Sequence, residues 1–352
     1  MATAVLTGGD GLLGRRVADV LESECGLDVV RVAGLHHPAE SETDRRATRR
    51  SRVDLDLREI GELDRADVVV DLGASDHDRR AERRESATQF AASTLGLADR
   101  LGARHVVLVS SALVYGAAPN NPRPLTEEAV LRPDVDFVFA RQLGSAEELV
   151  EQWRLARPGR ITSILRPAVG LARGGSSRLA AALVAGLGRR LAMADPPSQF
   201  LHLDDLATAV GLTVRERADG VFNVAPDGWV PGDRVRALSG ERPRLPLPER
   251  VGEVLSGLSW RFQRGPIPPG LISYTREPWV ISNGRLRALG WEPMITNEQA
   301  YVEATEAPWW TTVSPKRRQE MALGIGLFVG VVAAAATGWA VLRWWRRSAA
   351  NR

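Results

Sequence analysis

The feature that most constrains the fold is a glycine-rich turn near the start of the chain. Thr7-Gly8-Gly9-Asp10-Gly11-Leu12-Leu13-Gly14 follows a short apolar run at residues 4–6. It precedes residues 15–25, where Val17, Val20 and Leu21 recur at helical spacing. Strand, glycine turn and helix in this order open a nucleotide-binding βαβ unit. Gly8 permits the tight turn, Gly11 lets the backbone approach a pyrophosphate, and Gly14 lets the helix pack closely on the strand. The pyrophosphate then sits on free N–H groups at the positive end of the helix. Thr7, Gly8, Gly11, Leu12, Leu13 and Gly14 are therefore candidate cofactor-binding residues. A glycine pattern alone is weak, but its place between a first strand and a first helix makes it specific.

The alternation continues. Residues 28–33 read as a second strand, 66–72 (ADVVVDL) as a buried strand of the parallel type, and 85–101 as a helix. Residues 105–110 (HVVLVS) read as a strand, 139–157 as a helix and 161–165 as a strand. Residues 36–51 are polar and arginine-rich, the pattern of a solvated loop. This order predicts an α/β fold with a doubly wound parallel Rossmann sheet. Beyond residue 170 the pattern turns irregular and richer in proline, with breaks at 243–248 and 265–269. The expected organisation is a Rossmann domain over 1–167 and a smaller C-terminal substrate lobe over 168–307 that returns in part to the sheet.

Residues 321–342, MALGIGLFVGVVAAAATGWAVL, carry no charge. As a helix this run spans about 33 Å, against a bilayer hydrocarbon core of about 30 Å. Lys316, Arg317 and Arg318 flank one end, and Arg343, Arg346 and Arg347 flank the other. Trp339, Trp344 and Trp345 fall where an interfacial aromatic belt would sit. The expectation is one C-terminal transmembrane helix, with the lipid bilayer as a partner, a juxtamembrane linker at 308–320 and a basic tail at 343–352. Basic residues on both sides leave the orientation open. Residues 1–11 lack the basic n-region of a secretory signal, so the soluble part is expected in the cytoplasm and the chain at the cell membrane. Gly326, Gly330, Ala334 and Gly338 recur every four residues, a line along which two such helices can pair into a homodimer. Small residues of this kind are also common in membrane helices generally.

The charge balance narrows the function classes. The formal net charge is +3 with charges interleaved, so no basic stripe points to a nucleic-acid partner. Cys25 is the single cysteine, which excludes a disulfide framework and any multi-cysteine metal site, and no metal site is expected. Nearly all basic residues are arginine, and Lys316 is the sole lysine.

Seven segments in order carry a family resemblance: TGGDGLLG at 7–14, VVVDLGAS at 68–75, VSSALVYG at 109–116, LRPAVGL at 165–171, FLHLDDLATA at 200–209, GVFNVA at 220–225 and LGWEP at 289–293. Over about residues 3–305 the chain resembles the extended short-chain dehydrogenase/reductase family, the NAD-dependent epimerase/dehydratase group. The resemblance implies NAD or NADP in the N-terminal domain and often a sugar nucleotide in the C-terminal lobe. Its implied cofactor contacts are Leu72, Gly73, Ala74, Arg166 and Pro167 beside the loop residues. Asp56-Leu57 stands where an adenine-contacting pair could follow the third strand; a turn or capping acid is the equal alternative. An acid for the adenosine ribose is expected about 20 residues past the loop. Gly34 and Leu35 stand there instead, and no acid occurs until Glu40. The choice between NAD and NADP stays open, with Arg31, Arg45 and Arg46 as candidate partners of a 2′-phosphate.

The family's chemistry uses Ser or Thr, then Tyr, then Lys four residues on: the ammonium lowers the phenol's pKa and the phenolate moves a proton. Ser111 matches the serine by its place five residues before Gly116. Matching Ala140-Arg141 and Glu147 to the family pattern sets Phe139 on the tyrosine and Leu143 on the lysine. A shift by two sets Phe137 and Arg141 there. Neither register supplies a phenol, and leucine cannot hold a ribose hydroxyl. The usual acid/base pair is expected to be lost. Two readings stay open: an atypical enzyme drawing on Ser111, Asp71 or His202, and a non-catalytic nucleotide-binding sensor or scaffold at the membrane. Asp71 replaces a usual family histidine, without an assigned role. Asp205 is expected to cap the helix that follows it. His202, Asn223 and Trp291 read as structural, and Tyr115 as part of a structural motif rather than the catalytic tyrosine.

Overall fold

The computed structural model describes residues 2–9, 11–32, 63–73, 87–173, 177–187, 195–239 and 269–305. Asp56, Leu57, Ala74, Arg45, Arg46 and the whole segment from residue 306 onward, including the uncharged run and its line of small residues, lie outside them. Among the described residues no helix is long and apolar enough to cross a membrane.

In chain order the strands are β1 (Thr3–Thr7), β2 (Asp28–Val32), β3 (Val68–Asp71), β4 (His105–Val109), β5 (Ile161–Pro167), β6 (Val169–Leu171), β7 (Phe200–His202) and β8 (Gly220–Val224). Six of them form one parallel sheet in the order β2-β1-β3-β4-β5-β8, and β6 and β7 form a separate pair. The helices are α1 (Leu12–Ser23), α2 (Ala87–Arg100), α3 (Val138–Leu155), α4 (Arg178–Gly186), α5 (Leu203–Arg215), α6 (Gly232–Leu238), α7 (Ile272–Arg276), α8 (Gly284–Ala288) and α9 (Asn297–Ala304).

The valine-rich strands are buried on both faces because helices cover both. Successive strand residues point to opposite faces, so Leu6 and Val5 enter different cores. On one face Leu6, Val70 and Val107 pack with Val17 and Leu21 of α1 and Leu206 and Val210 of α5. On the other, Val5, Val69 and Val106 pack with Leu95 and Ala98 of α2 and Val150 and Trp153 of α3. A third cluster joins the carboxyl end of the sheet to the later part of the chain, with Phe137, Phe139, Leu143, Leu171, Phe200, Tyr274 and Tyr301.

Helix α1 begins at Leu12, three residues before the apolar spacing suggests, because Gly11 is its N-cap and the loop feeds directly into it. Beyond β5 the chain goes back to the sheet twice, as α5 packed with α1 and as β8 paired with β5. Strands β6 and β7 have three residues each, too few for an alternating pattern to be read from sequence.

Candidate functional site

Strand β1 lies between β2 and β3, so the connections on its two sides run in opposite directions. The carboxyl end of an open α/β sheet at such a switch point is where ligands bind. Thr7 and Asp71 are in register there. Gly8 has φ +71° and sits so close to the turn after β3 that an added Cβ would lie 2.7 Å from Gly73 Cα. A Cβ on Gly14 would lie 2.1 Å from the Gly9 carbonyl oxygen. Gly11 caps α1 with no side-chain hydrogen bond, and the first turn holds no acid. Among the described residues no side chain takes the first-turn N–H groups, which stand at the positive end of the helix. Side chains would fill this cradle, so the loop fits a pyrophosphate.

The neighbouring residues divide into those at the loop and those behind it. Leu12 and Leu13 line the cleft below the loop. Thr7 is buried, with Oγ1 3.1 Å from Thr94 Oγ1. The Leu72 side chain belongs to the core, and its backbone N–H donates to Thr7 O at 2.9 Å. Asp71 Oδ1 accepts from the Gly73 N–H at 2.9 Å. Burial pushes the Asp71 carboxyl up to about 6, against the bonds from Gly73 and Thr94. Arg31 is buried on β2, its Cβ 3.6 Å from where a Cβ on Gly9 would stand.

Ser111 caps a 3-10 turn, Ala112–Tyr115, and its Oγ accepts from the Leu113 N–H at 3.3 Å. Phe139, Leu143 and Glu147 follow one another at intervals of four on α3 and share its buried face. Phe139 lines the cleft, while Leu143 is 0% exposed in the core beside it. The two positions expected to lack the proton relay thus present a ring and an aliphatic chain. None of the three tyrosines lines the cleft. Tyr115 OH donates to Asn223 Oδ1 at 2.8 Å, and Tyr274 OH donates to Leu113 O at 2.7 Å. Burial raises the pKa of both phenols.

Arg166 does not face the loop. Its Nη2 donates to Glu147 Oε2 at 2.6 Å and its Nε to both Glu147 oxygens at 3.2 Å. Its Nη1 donates to Tyr115 OH at 2.8 Å. Ser110 Oγ donates to Glu147 Oε1 at 2.5 Å. The guanidinium expected at the cofactor is therefore spent on a buried carboxylate behind the wall, and the adjacent Pro167 lines the cleft in its stead. Glu147 served in the sequence only to fix the register of α3; its role as Arg166's partner, 19 residues away, carries no local signal.

His202 is the N-cap of α5, with Nδ1 accepting from the Asp204 N–H at 3.2 Å. Burial, and then the nearby Arg16 charge, push its pKa down. Asp205 does not cap the helix, because His202 holds that position. Its two oxygens accept from the backbone N–H groups of Met294 and Ile295 at 2.9 and 3.0 Å, tying α5 to the segment before α9. Trp291 is buried and donates from Nε1 to Thr208 Oγ1 at 3.1 Å. Of Ser111, Asp71 and His202, Ser111 alone lines the cleft.

The cleft has an empty volume of about 790 Å³, part of it open to solvent. Leu113, Leu179, Leu183, Leu203, Leu206 and Trp279 line it, and no charged side chain among the described residues does. These residues were not identified from the sequence; the apolar run LAAALVAG of α4 was the available signal.

Comparison with known proteins follows the same geometry. Residues 4–225 match the model of the NAD dependent epimerase/dehydratase family. Uncharacterized proteins of Mycobacterium bovis and Mycobacterium tuberculosis are 26% identical over 199 residues, 56% of this chain and 53% of theirs. The chain spans about half the length of these curated relatives. The structure is similar to UDP-glucose 4-epimerase of Thermus thermophilus in complex with NAD, with TM-score 0.63 and 16% identity over 86% of this chain and 97% of that one. It is also similar to UDP-glucose 4-epimerase of Bifidobacterium longum in complex with NAD+ and UDP, with TM-score 0.62 and 17% identity over 89% and 99%. A dTDP-glucose 4,6-dehydratase of Bacillus anthracis in complex with NAD gives TM-score 0.60 and 15% identity over 86% and 95%. With its dinucleotide-type loop at the switch point of a parallel sheet and a family match over most of its length, the chain belongs to the NAD-dependent epimerase/dehydratase family.

Proposed function

We propose that the chain is a membrane-held, NAD(P)-binding member of this family that keeps nucleotide binding and lacks the standard proton relay. The observation that carries this is the pairing of a glycine cradle that added side chains would fill with Phe139 in the adjoining wall and Leu143 in the core beside it. Gly8, Gly11 and Gly14 hold the pyrophosphate through backbone N–H groups, and Leu12, Leu13 and Pro167 shape the wall around the rest. A bound nicotinamide dinucleotide would supply hydride chemistry. What this chain adds beside it is the Ser111 hydroxyl, with no tyrosine or lysine lining the cleft among the described residues. NAD in the solved relatives supports the cofactor class, and UDP in one of them gives the family expectation of a sugar nucleotide. The uncharged run at 321–342 supports anchoring in the cell membrane with the folded part in the cytoplasm, and its line of small residues supports pairing of two chains.

The test is isothermal calorimetry of the full chain in nanodiscs with NAD and with NADP, together with a UDP-glucose 4-epimerase assay. The expected result is saturable binding of one dinucleotide and no epimerisation. Absence of binding to both would overturn the reading of the loop, and turnover of UDP-glucose would overturn the loss of the relay. Extraction of the membrane fraction with alkaline carbonate should leave the chain in the pellet; its release would overturn the anchor.

A further inference from the structure

The cleft beside the loop has a lining that decides what chemistry can sit in it. Among the described residues its hydroxyl-bearing side chains are Ser110, Ser111 and Ser177. Ser110 donates its proton to Glu147. Ser177 is the N-cap of α4, its Oγ accepting from the Ala180 N–H at 3.1 Å. Ser111 Oγ accepts from the Leu113 N–H. Among the described residues, the hydroxyl protons of Ser111 and Ser177 are left for a ligand. A hexose presents several hydroxyls, each both donor and acceptor, and a nucleoside diphosphate adds anionic oxygens. Each polar group buried there without a partner costs roughly ten-fold in affinity. No charged side chain among the described residues lines the cleft to meet a diphosphate.

The apolar side is extensive and built from several elements. Leu179, Ala180 and Leu183 of α4 face Leu113, Phe139 and Trp279. Phe139 itself presents a ring without a hydroxyl where the family resemblance places a phenol. Such a surface favours a hydrocarbon body, and the Ser111 hydroxyl can meet a single oxygen on it.

We propose that the ligand facing the dinucleotide in this cleft is a hydrocarbon bearing a single hydroxyl or carbonyl group, and not a sugar nucleotide. The assignment rests on the proposed dinucleotide binding, because the loop sets which end of the cleft is left for a second ligand. A membrane-held chain would meet such molecules at the bilayer.

The experiment uses the full chain in nanodiscs and a photoreactive C12 secondary alcohol carrying a diazirine. After irradiation the labelled peptides are mapped by mass spectrometry. The expected result is labelling of the peptides that contain Phe139 and residues 177–187. Excess dodecan-2-ol should reduce it at least ten-fold and excess UDP-glucose should leave it unchanged. Leu179→Asp, which sets a charge on the half-buried rim of the cleft, should reduce the labelling at least ten-fold while NAD affinity and the unfolding midpoint stay as in the parent. Protection by UDP-glucose, or labelling confined to other peptides, would overturn the assignment. NAD affinity measured on the same sample separates the two readings. Labelling without NAD binding would overturn the placement opposite a dinucleotide while leaving an apolar ligand in the cleft, and NAD binding without labelling would overturn the apolar ligand while leaving the dinucleotide.

Discussion

Arg166→Met takes the cation away from a carboxylate that has almost no access to water. Glu147 is 5% exposed, and so is Arg166. In the parent chain Glu147 accepts three bonds from Arg166, at 2.6, 3.2 and 3.2 Å, and one from Ser110 at 2.5 Å. The variant leaves the Ser110 bond alone to support a buried charge. Removing one partner of a buried ion pair costs about 3–5 kcal/mol. The lost bond from Nη1 to Tyr115 OH adds about 1 kcal/mol. The expected loss is about 4–6 kcal/mol, a large share of a typical stability of about 5–15 kcal/mol. Glu147→Leu combined with Arg166→Met removes both charges and leaves only the Ser110 and Tyr115 hydroxyls short of a partner, which costs about 1–2 kcal/mol. The assay is urea unfolding of the full chain at pH 7, followed by far-UV circular dichroism, with the slope compared between variants. A single variant within about 1 kcal/mol of the parent, or a double variant no more stable than the single one, would refute the reasoning.

Three further outcomes follow from the same structure. Asp71 holds its proton to about 6 when folded against 3.8 ordinarily, so its contribution to stability is complete below about 4 and is lost as pH rises to about 6. Asp71→Asn, which can still accept from Gly73 N–H, should therefore be more stable than the parent at pH 7 by up to about 3 kcal/mol and equal to it near pH 4; a difference curve flat across pH 4–7 counts against this. Gly14→Ala forces a Cβ to within 2.1 Å of the Gly9 carbonyl, so calorimetric affinity for the dinucleotide should fall at least ten-fold, and an unchanged affinity would show that the turn does not hold the ligand. Leu143→Lys puts an ammonium at a site 0% exposed in an apolar cluster and should cost several kcal/mol in urea unfolding, with no epimerase activity gained when Phe139→Tyr is added; recovered turnover would mean that the cleft was still arranged for the family's chemistry.

The glycine turn and the strands that flank it were legible because their causes are local. Gly8 must adopt a positive φ and Gly14 must let α1 approach the loop, and both demands leave a trace in the residue type itself. The apolar run of β1 and the valine runs of β3 and β4 announce strands buried on two faces for the same reason. The absence of a tyrosine and a lysine at 139 and 143 was equally plain, since no fold can supply a phenol or an amine from phenylalanine and leucine. The uncharged run at 321–342 is likewise a property of composition over one stretch.

Tertiary structure decided the rest, where partners are far apart in sequence. The family resemblance implied a cofactor contact for Arg166, near the carboxyl end of β5; the fold turns its guanidinium onto Glu147, a buried carboxylate on α3. Asp205 read as a helix cap because it opens a helix; the fold gives the cap to His202 and the aspartate to two amides 89 and 90 residues away. The apolar wall of the cleft gathers side chains from α3, α4, α5 and the segment before α8, and no stretch of sequence holds enough of it to be seen. Sequence by itself determined which side chains stand in the glycine loop and at 139 and 143 on α3, since each is the identity of a single residue. The character of the space between them was settled only by long-range packing, because a cavity is a property of the surfaces that meet around it.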